Sequence, residues 1–308
     1  MLLGAAAIWG FAFVAQDSIS GLGANAVVAA RSWIAVLFLV FAVMLFDRLG
    51  GNGRRLISRR GIDLSKSEMI GGVLCGAVLA VASVFQQLGI QSGTDGGKAA
   101  FITSLYVILV PIYALVIKRR AALNVWISVV VAAVGFYLLC IKENVGIVNS
   151  DAFVIAGALI FPLHILLIDR FSPRCDGVRM SLVQFFTCGA IETVVSLIFE
   201  GAPDAAVLWA NAVPLLFLGI GSSGIAYTLQ ILGQNGPDPS AASIIMSLES
   251  VFGVIGTALV LDARLLPREY LGCAIVLVAV ILSEIDFPAL RARLARRRQS
   301  TEGEAPTE

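Results

Sequence analysis

Long apolar stretches, separated by short polar or basic breaks, make up most of the chain. Two of them, residues 99–117 and 121–141, contain no charged side chain. A helix needs about 20 apolar residues to cross roughly 30 Å of hydrocarbon. The pattern predicts ten membrane-spanning helices, at residues 2–19, 26–46, 69–91, 97–117, 121–141, 152–168, 178–199, 207–232, 239–261 and 267–286.

The composition is that of a membrane protein. Of the 308 residues, 58% are hydrophobic and 14% are charged, and the mean hydropathy is +0.90. Soluble domains average about 45–50% apolar and about 25% charged residues. We therefore expect an all-α integral membrane protein whose first partner is the lipid bilayer. A single histidine, and five cysteines without a C-x-x-C pair, predict no metal site and no cofactor.

Basic residues predict the orientation of the spans. With both termini in the cytoplasm, 17 Lys and Arg residues fall in cytoplasmic segments, 4 fall on the opposite side, and Arg31 lies within a span. Cytoplasmic loops are enriched in these residues. We expect a multi-pass protein of the cell membrane, plasma or bacterial inner, with cytoplasmic termini. The basic loop 47–66 and the Arg-rich tail are interpreted as topology signals, so no nucleic-acid partner is predicted.

An internal repeat divides the chain. Residues 87–105 and 230–248, offset by 143 positions, share eight identities, among them Gln87/Gln230, Asp95/Asp238 and Ser104/Ser247. We predict a first five-helix repeat at 1–143, a second at 144–287, and a basic, then disordered, cytoplasmic tail at 288–308. Because five is odd, the second repeat enters the membrane inverted relative to the first. Inverted repeats recur in secondary transporters, where a site between the halves is exposed alternately to each side.

The residues of both halves resemble the drug/metabolite transporter superfamily, specifically its EamA-type members. The resemblance covers nearly the whole chain. It rests on Trp9-Gly10, Ala12-Phe13, Arg31, Phe101-Ile102-Thr103-Ser104-Leu105-Tyr106, Pro111, Tyr227-Thr228-Leu229-Gln230, Ser247-Leu248-Glu249, Val251-Phe252, Gly272 and Ser283-Glu284.

This resemblance implies a ten-helix carrier that moves small metabolites or drugs, often outward, with amino-acid exporters among its relatives. The chain departs from the family at two places. Ser250 stands where a proline is common, and Asp262-Ala263 stands where Gly-Glu is common. The departures leave the fold assignment intact and concern contacts at the ends of helices.

Three ionisable residues within the spans are candidates for substrate binding or coupling. A charge at mid-membrane costs about 2.5–3.5 kcal/mol on insertion scales, so such side chains usually face a cavity or a partner. Glu249 lies deep in its span and is the first candidate, for substrate or protons, against a structural hydrogen bond. Arg31 either binds a carboxylate across the bundle or extends to the interface. His164, which follows Pro162, either lines a cavity or bonds another helix.

Uncharged polar and aromatic residues complete the candidate set. Gln87 and Gln230 occupy equivalent repeat positions and either line water or join helices. Trp9, Thr103 and Tyr106 offer aromatic and hydroxyl contacts to a small amphipathic substrate, with packing as the alternative. Elsewhere, Gly72-x-x-x-Gly76 predicts close helix packing.

Sequence motifs of enzymes are missing: there is no G-x-x-x-x-G-K-[ST] and no H-E-x-x-H. We therefore expect a secondary transporter of small organic metabolites or drugs, amino-acid-like substrates included, and not an enzyme. Protons are a candidate coupling ion. A non-transport membrane assembly protein and a lipid-headgroup enzyme are the alternatives.

Overall fold

The computed structural model describes residues 1–49, 64–118, 121–140, 148–260 and 266–284, and these residues are helical, without a strand. The α-helices are α1 (Leu2–Asp17), α2 (Ala24–Leu49), α3 (Lys66–Gln91), α4 (Gly96–Ser104), α5 (Tyr106–Val116), α6 (Leu123–Cys140), α7 (Asp151–Phe171), α8 (Gly177–Phe199), α9 (Ala205–Ala210), α10 (Ala212–Leu216), α11 (Tyr227–Gly233), α12 (Pro239–Met246), α13 (Glu249–Val260) and α14 (Pro267–Glu284). A 3₁₀ turn, Ser172–Arg174, follows α7, and a π-helical segment, Phe217–Ala226, joins α10 to α11.

Seven helical segments of the described chain are long and apolar enough to cross a membrane. They are Ala24–Leu45, Lys66–Gln91, Gly96–Val116, Asp151–Arg174, Gly177–Phe199, Ala212–Gly233 and Pro239–Gly256. Leu2–Asp17 and Leu123–Leu139 are shorter apolar helices. The protein is therefore an all-helical integral membrane protein, as its composition indicates.

Large apolar side chains cover much of the outer surface. Val116, Phe199 and Val213 are each at least 78% exposed. Soluble proteins rarely expose extensive apolar surface, whereas a bilayer solvates it. Meanwhile polar residues such as Ser83, Gln87 and Ser104 are fully buried, so the polarity of the interior and surface is that expected in lipid.

Two of the predicted spans are interrupted. The stretch predicted at 97–117 divides at Leu105 into α4 and α5, and the stretch predicted at 239–261 divides at Ser247 and Leu248 into α12 and α13. Near both breaks a serine hydroxyl donates to a backbone carbonyl one turn back: Ser104 to Ala100 at 2.9 Å, and Ser247 to Ile244 at 2.6 Å. Such bonds compete with the helical ladder and bend helices.

A third predicted span also differs from the structure. The stretch predicted at 207–232 begins as the short helix α9 and continues as α10, the π-helical segment and α11. Asn211 separates α9 from α10, and its side chain bonds both the N–H and the carbonyl of Ser20. An uncharged run of this length could not reveal that turn, because the periodicity of its apolar residues is uniform.

Close helix packing holds the bundle together. The face of α3 that carries Gly72 and Gly76, which have no side chains, lies against α8. A Cβ on Gly76 would come within 2.4 Å of the Gln184 carbonyl oxygen. The predicted close packing of this glycine pair is thus confirmed. Helix α3 also packs on α7, α1 on α13, α2 on α8, and α6 on α14.

Loop contacts show which segments share an end of the bundle. At one end, called here the Asp17 end, Ser20 bonds Asn211, Glu200 bonds Asn25, and Lys98 pairs with Asp151. At the opposite end, the Glu68 carboxylate accepts from the backbone N–H groups of Ser65 and Asp176. Residues 50–63 of the basic loop 47–66 and the predicted tail 288–308 lie outside the described residues.

Candidate functional site: a central polar cavity

A cavity with about 500 Å³ of empty space, its open mouth included, lies where the two sequence halves meet. The first half contributes Trp9, Ala12, Phe13, Gln16, Arg31, Gln86, Thr103 and Tyr106. The second half contributes Phe161, His164, Ile165, Ser222, Tyr227, Gln230, Met246 and Glu249. The cavity is therefore built by both halves about equally, and its wall mixes charged, amide, hydroxyl and aromatic groups.

Seven of the eight residues selected from the sequence line this cavity: Trp9, Arg31, Thr103, Tyr106, His164, Gln230 and Glu249. The eighth, Gln87, does not. It is fully buried elsewhere, and its neighbour Gln86 lines the wall in its place. Adjacent residues of a helix point about 100° apart, and here that rotation turns the Gln87 side chain away from the wall that Gln86 lines.

Glu249 owes its position to the break in the ninth predicted span. It is the first residue of α13, directly after Ser247 and Leu248, and its side chain is 4% exposed. The hydroxyls of Tyr106 and Ser104 face its carboxylate, while Oε1 has no well-formed hydrogen bond among the described residues. A carboxylate at a helix N-terminus is favoured by the helix dipole. The break thus provides a carboxylate with spare capacity to accept hydrogen bonds.

Tyr106 mirrors Glu249 in the repeat. It begins α5 after the break at Leu105, and it stands 143 positions before Glu249. Ser104, two residues before Tyr106, contacts Ser250 of the other interrupted span, and the Ser250 hydroxyl also donates to the Ala100 carbonyl at 3.3 Å. The two interrupted spans therefore touch at their breaks.

An aromatic cluster centred on Tyr227 forms another wall. The Tyr227 ring lies edge-on to Trp9, with ring centroids 4.8 Å apart, and to His164, at 5.7 Å. Phe185 packs behind it at 5.4 Å. Aromatic faces of this kind bind apolar groups and cations.

Two side-chain hydrogen bonds orient polar groups of the wall. His164 Nε2 lies 3.0 Å from Gln184 Oε1, and Gln86 Nε2 donates to the Thr103 hydroxyl at 3.0 Å. The former bond favours the tautomer with a proton on Nε2, because an amide oxygen only accepts. His164 is consequently held across the α7–α8 interface while its ring faces the cavity.

Arg31 supplies positive charge. It is 4% exposed on α2, and its Nε has no hydrogen-bond partner among the described residues. Glu192 of α8, itself 2% exposed, is its electrostatic neighbour. The next two residues of α2 also contact α8, Ser32 at Cys188 and Trp33 at Thr193, so the two helices lie close together at this level. The charges of Arg31 and Glu192 therefore lie close together within the bundle.

Several polar atoms of the cavity wall lack partners among the described residues. They include Trp9 Nε1, Gln16 Oε1 and Gln230 Oε1. Buried polar groups in proteins are usually hydrogen-bonded, so such a concentration marks a place where water or a ligand completes the bonding. Donors and acceptors are both present. Within the part of the chain that the structure describes, no group of three or more His, Cys, Asp or Glu side chains is placed to hold a metal ion.

Six polar or aromatic lining residues were not among the site candidates selected from the sequence: Phe13, Gln16, Gln86, Phe161, Ser222 and Tyr227. Tyr227 could have been found, because it precedes Gln230 by three residues and so shares its helix face. Ser222 lies in the π-helical segment, whose altered turn no apolar pattern reveals.

Comparison with known proteins adds independent information. Residues 149–285 match the EamA-like transporter family. An uncharacterized transporter of Archaeoglobus fulgidus is 27% identical over 282 residues, covering 90% of this chain and 82% of that protein. A solved protein crystal structure superposes with a TM-score of 0.68 at 16% identity, covering 92% of this chain and 96% of that one. The structural likeness shows a common fold.

Proposed function

We propose that this chain is a secondary carrier of small organic solutes, because residues 149–285 match the EamA-like transporter family and an uncharacterized transporter is 27% identical over 282 residues. The resemblance predicted from its motifs is confirmed by the family match and the transporter relative. The observation that carries the proposal is the central cavity, lined by both halves at the breaks of two interrupted helices.

The proposed architecture is ten spans in two inverted five-helix repeats, at 1–143 and 144–287. Leu105 and Leu248, the positions of the two breaks, differ by the repeat offset of 143. Asp95 and Asp238, one helix earlier, both cap a helix with their side chains. Interrupted helices at a repeat interface are a recurrent plan of alternating-access carriers.

The proposed substrate is a small amphipathic molecule with charged groups, of which an amino acid is one example. Arg31 suits a carboxylate, Glu249 suits an ammonium group, and the Trp9–Tyr227 pair suits an apolar or aromatic portion. The unpaired polar atoms of the wall, such as Gln230 Oε1 and Trp9 Nε1, then orient the substrate. A cavity with opposite charges binds a zwitterion without leaving either buried charge unpaired.

We propose export, with protons as the coupling ion and Glu249 or His164 as the group that carries them. Both residues lie in the cavity wall, where substrate and proton would compete for the same atoms. We also propose that the termini and the basic segments lie in the cytoplasm of a cell-membrane protein. The Asp17 end, whose described loops are acidic, then faces outward.

The first experiment is a binding screen on the detergent-purified chain. Thermal unfolding is measured with a panel of amino acids and cationic drugs, and the best stabilising compound is carried into proteoliposome uptake. A ligand stabilises the state that binds it in proportion to its concentration over Kd. We expect stabilisation that Glu249→Gln and Arg31→Gln reduce. Folded protein that neither binds nor transports any compound of the panel would contradict the proposal.

A further inference from the structure

A second, more open pocket, with about 680 Å³ of empty space including its open mouth, adjoins the central cavity at the Asp17 end of the bundle. Its walls are the last residues of α1, the connection 18–23, and the last residues of α3. The connection is held in place by hydrogen bonds: Gln91 Nε2 donates to the Leu22 carbonyl at 3.1 Å, and Asn211 bonds Ser20. The pocket is therefore a built feature of the fold.

Gln16 separates this pocket from the central cavity, since it lines both. The side chain is 3% exposed, and its Oε1 has no hydrogen-bond partner among the described residues. An amide oxygen only accepts hydrogen bonds. The missing partner is thus a donor, an N–H or an O–H group.

Asp17, the next residue, places a carboxylate on the wall of the same pocket. It is the electrostatic neighbour of Asp95, and the backbone N–H of Gly96 also faces it. A carboxylate has two oxygens and about four lone-pair sites, so this contact leaves room for a ligand. The Asp17 carboxylate and the unpaired Oε1 of Gln16 are both hydrogen-bond acceptors.

The backbone adds negative potential. Helices α1 and α3 both end at this pocket, with Asp17 and Gln91 as their last residues. A helix C-terminus carries roughly half a negative charge. In the bordering loops, residues 18–25, 92–98, 148–151 and 200–211, the described acids are Asp95, Asp151, Glu200 and Asp204. The described base of these loops is Lys98, which pairs with Asp151.

We infer that the outer pocket is a second binding site, for a protonated amine whose N–H groups donate to Gln16 Oε1 and the Asp17 carboxylate. Because these two groups accept hydrogen bonds, they favour cations that carry N–H over quaternary ammonium ions. Only the role of the site rests on the proposed function: in a carrier, it would bind the amine between the central cavity and the outside. Binding itself requires no transport.

Ser20 provides a reporter, because it is exposed and lines the pocket. Ser20→Cys is made in a chain whose native cysteines are replaced by serine or alanine, and size-exclusion chromatography checks that it is folded. Its modification by a cationic methanethiosulfonate is timed in detergent, where both ends are accessible. Methylammonium and tetramethylammonium are compared as competitors at equal ionic strength, and the cysteine-free parent serves as the blank.

We expect methylammonium to slow modification by at least about twofold near its Kd, and tetramethylammonium to slow it less. Asp17→Asn should abolish this protection. Asp204→Asn is the matched control: it removes an acid of a neighbouring loop, yet asparagine still caps α9, so protection should persist. Equal rates with and without methylammonium, or full protection in Asp17→Asn, would overturn the inference. Since the assay reads occupancy, its failure would leave the proposed carrier function standing.

Discussion

At the scale of the residue, the energetics of the site centre on Glu249. A carboxylate in the interior of a membrane protein is costly unless it has partners. Here the partners are hydroxyls of Tyr106 and Ser104 and the N-terminus of α13. Hydroxyls and a helix end stabilise the charge without neutralising it, which leaves the carboxylate available to a cationic group or a proton.

Replacing Glu249 by glutamine therefore removes charge while keeping size. We predict that uptake driven by a pH gradient falls at least about tenfold, equivalent to about 1.4 kcal/mol, and that the remaining uptake no longer depends on the gradient. Proteoliposomes with an imposed pH gradient measure both quantities. Glu269→Gln is the control, because Glu269 is buried at the start of α14 outside the cavity. Unchanged pH dependence in Glu249→Gln would assign coupling to another group.

Adjacent glutamines on α3 give a matched comparison. Gln86 lines the cavity and bonds Thr103, whereas Gln87 faces away and both its amide atoms lack partners among the described residues. We predict that Gln86→Leu weakens ligand binding about 3- to 10-fold, the effect of one lost hydrogen bond. Gln87→Leu should leave binding unchanged. The variant protein should unfold at a temperature no lower than the wild type, because an unpaired buried amide is replaced by an apolar group. Equal losses of affinity in the two variants would contradict the assignment.

The glutamine pair also shows where sequence reasoning ends at this scale. The repeat identified Gln87 by its match with Gln230, and the structure puts Gln230 but not Gln87 in the wall. The charged residues, and the histidine that follows Pro162, were easier to select as site candidates. Burying Glu249, Arg31 or His164 in lipid is costly enough to require a cavity or partner, whereas a glutamine can be used equally well for packing.

At the scale of the element, the interrupted spans α4–α5 and α12–α13 define the cavity. Their apolar sequences are continuous, so hydropathy predicts two unbroken helices. The breaks arise from local hydroxyl-to-carbonyl bonds and from contact between the two spans at Ser104 and Ser250. This contact joins residues 146 positions apart, and no property of either segment alone predicts it. Serine at position 250 makes the contact possible, where a family-typical proline would lack the hydroxyl.

The packing of α1 on α13 provides a test of the same region. A Cβ on Gly10 would lie 2.4 Å from Phe252 Cβ and 2.6 Å from the Gly253 backbone nitrogen. We predict that Gly10→Ala lowers the melting temperature in detergent by several degrees, since overpacking costs about 1–3 kcal/mol. Gly253→Ala is the control, because its Cβ would meet nothing closer than 3.6 Å. A Gly10→Ala protein as stable as Gly253→Ala would show that the two helices lie farther apart.

At the scale of the whole molecule, sequence halves are tied together at both ends of the bundle. Glu68 bonds the backbone of Asp176 at one end, and Lys98 pairs with Asp151 at the other. Alternating access requires the contacts at each end to form and break in turn. Hydropathy and charge predict the number, direction and approximate limits of the spans. They do not predict which loops meet, because that depends on how the halves pack.

Glu200 gives the stability of the Asp17 end a pH dependence. Burial favours its neutral form, but hydrogen bonds from the Asn25 backbone, the Asn25 side chain and the Ala26 backbone outweigh burial and lower the pKa of this carboxyl. A lowered pKa in the folded state stabilises the protein above the unfolded-state value, about 4.3, and this contribution is lost as pH falls through the folded-state pKa.

We predict that Glu200→Gln melts a few degrees below the wild type at pH 7. The difference should narrow as pH falls below about 4.3, where the wild-type carboxylate becomes protonated. Scanning fluorimetry across this range measures it, with Asp204→Asn as a neighbouring control. A gap that stays constant to low pH would mean that the charge of Glu200 contributes nothing to stability.

The central claim is that one cavity between two halves carries small solutes by alternating access. Counterflow in proteoliposomes tests it most directly, using the compound that best stabilises the purified protein. Vesicles preloaded with excess unlabelled compound should transiently accumulate the labelled compound, because a carrier returns occupied from either side. Glu249→Gln should reduce this overshoot, and Glu269→Gln should retain it. Equilibration without an overshoot, equal in wild type and Glu249→Gln, would contradict the account.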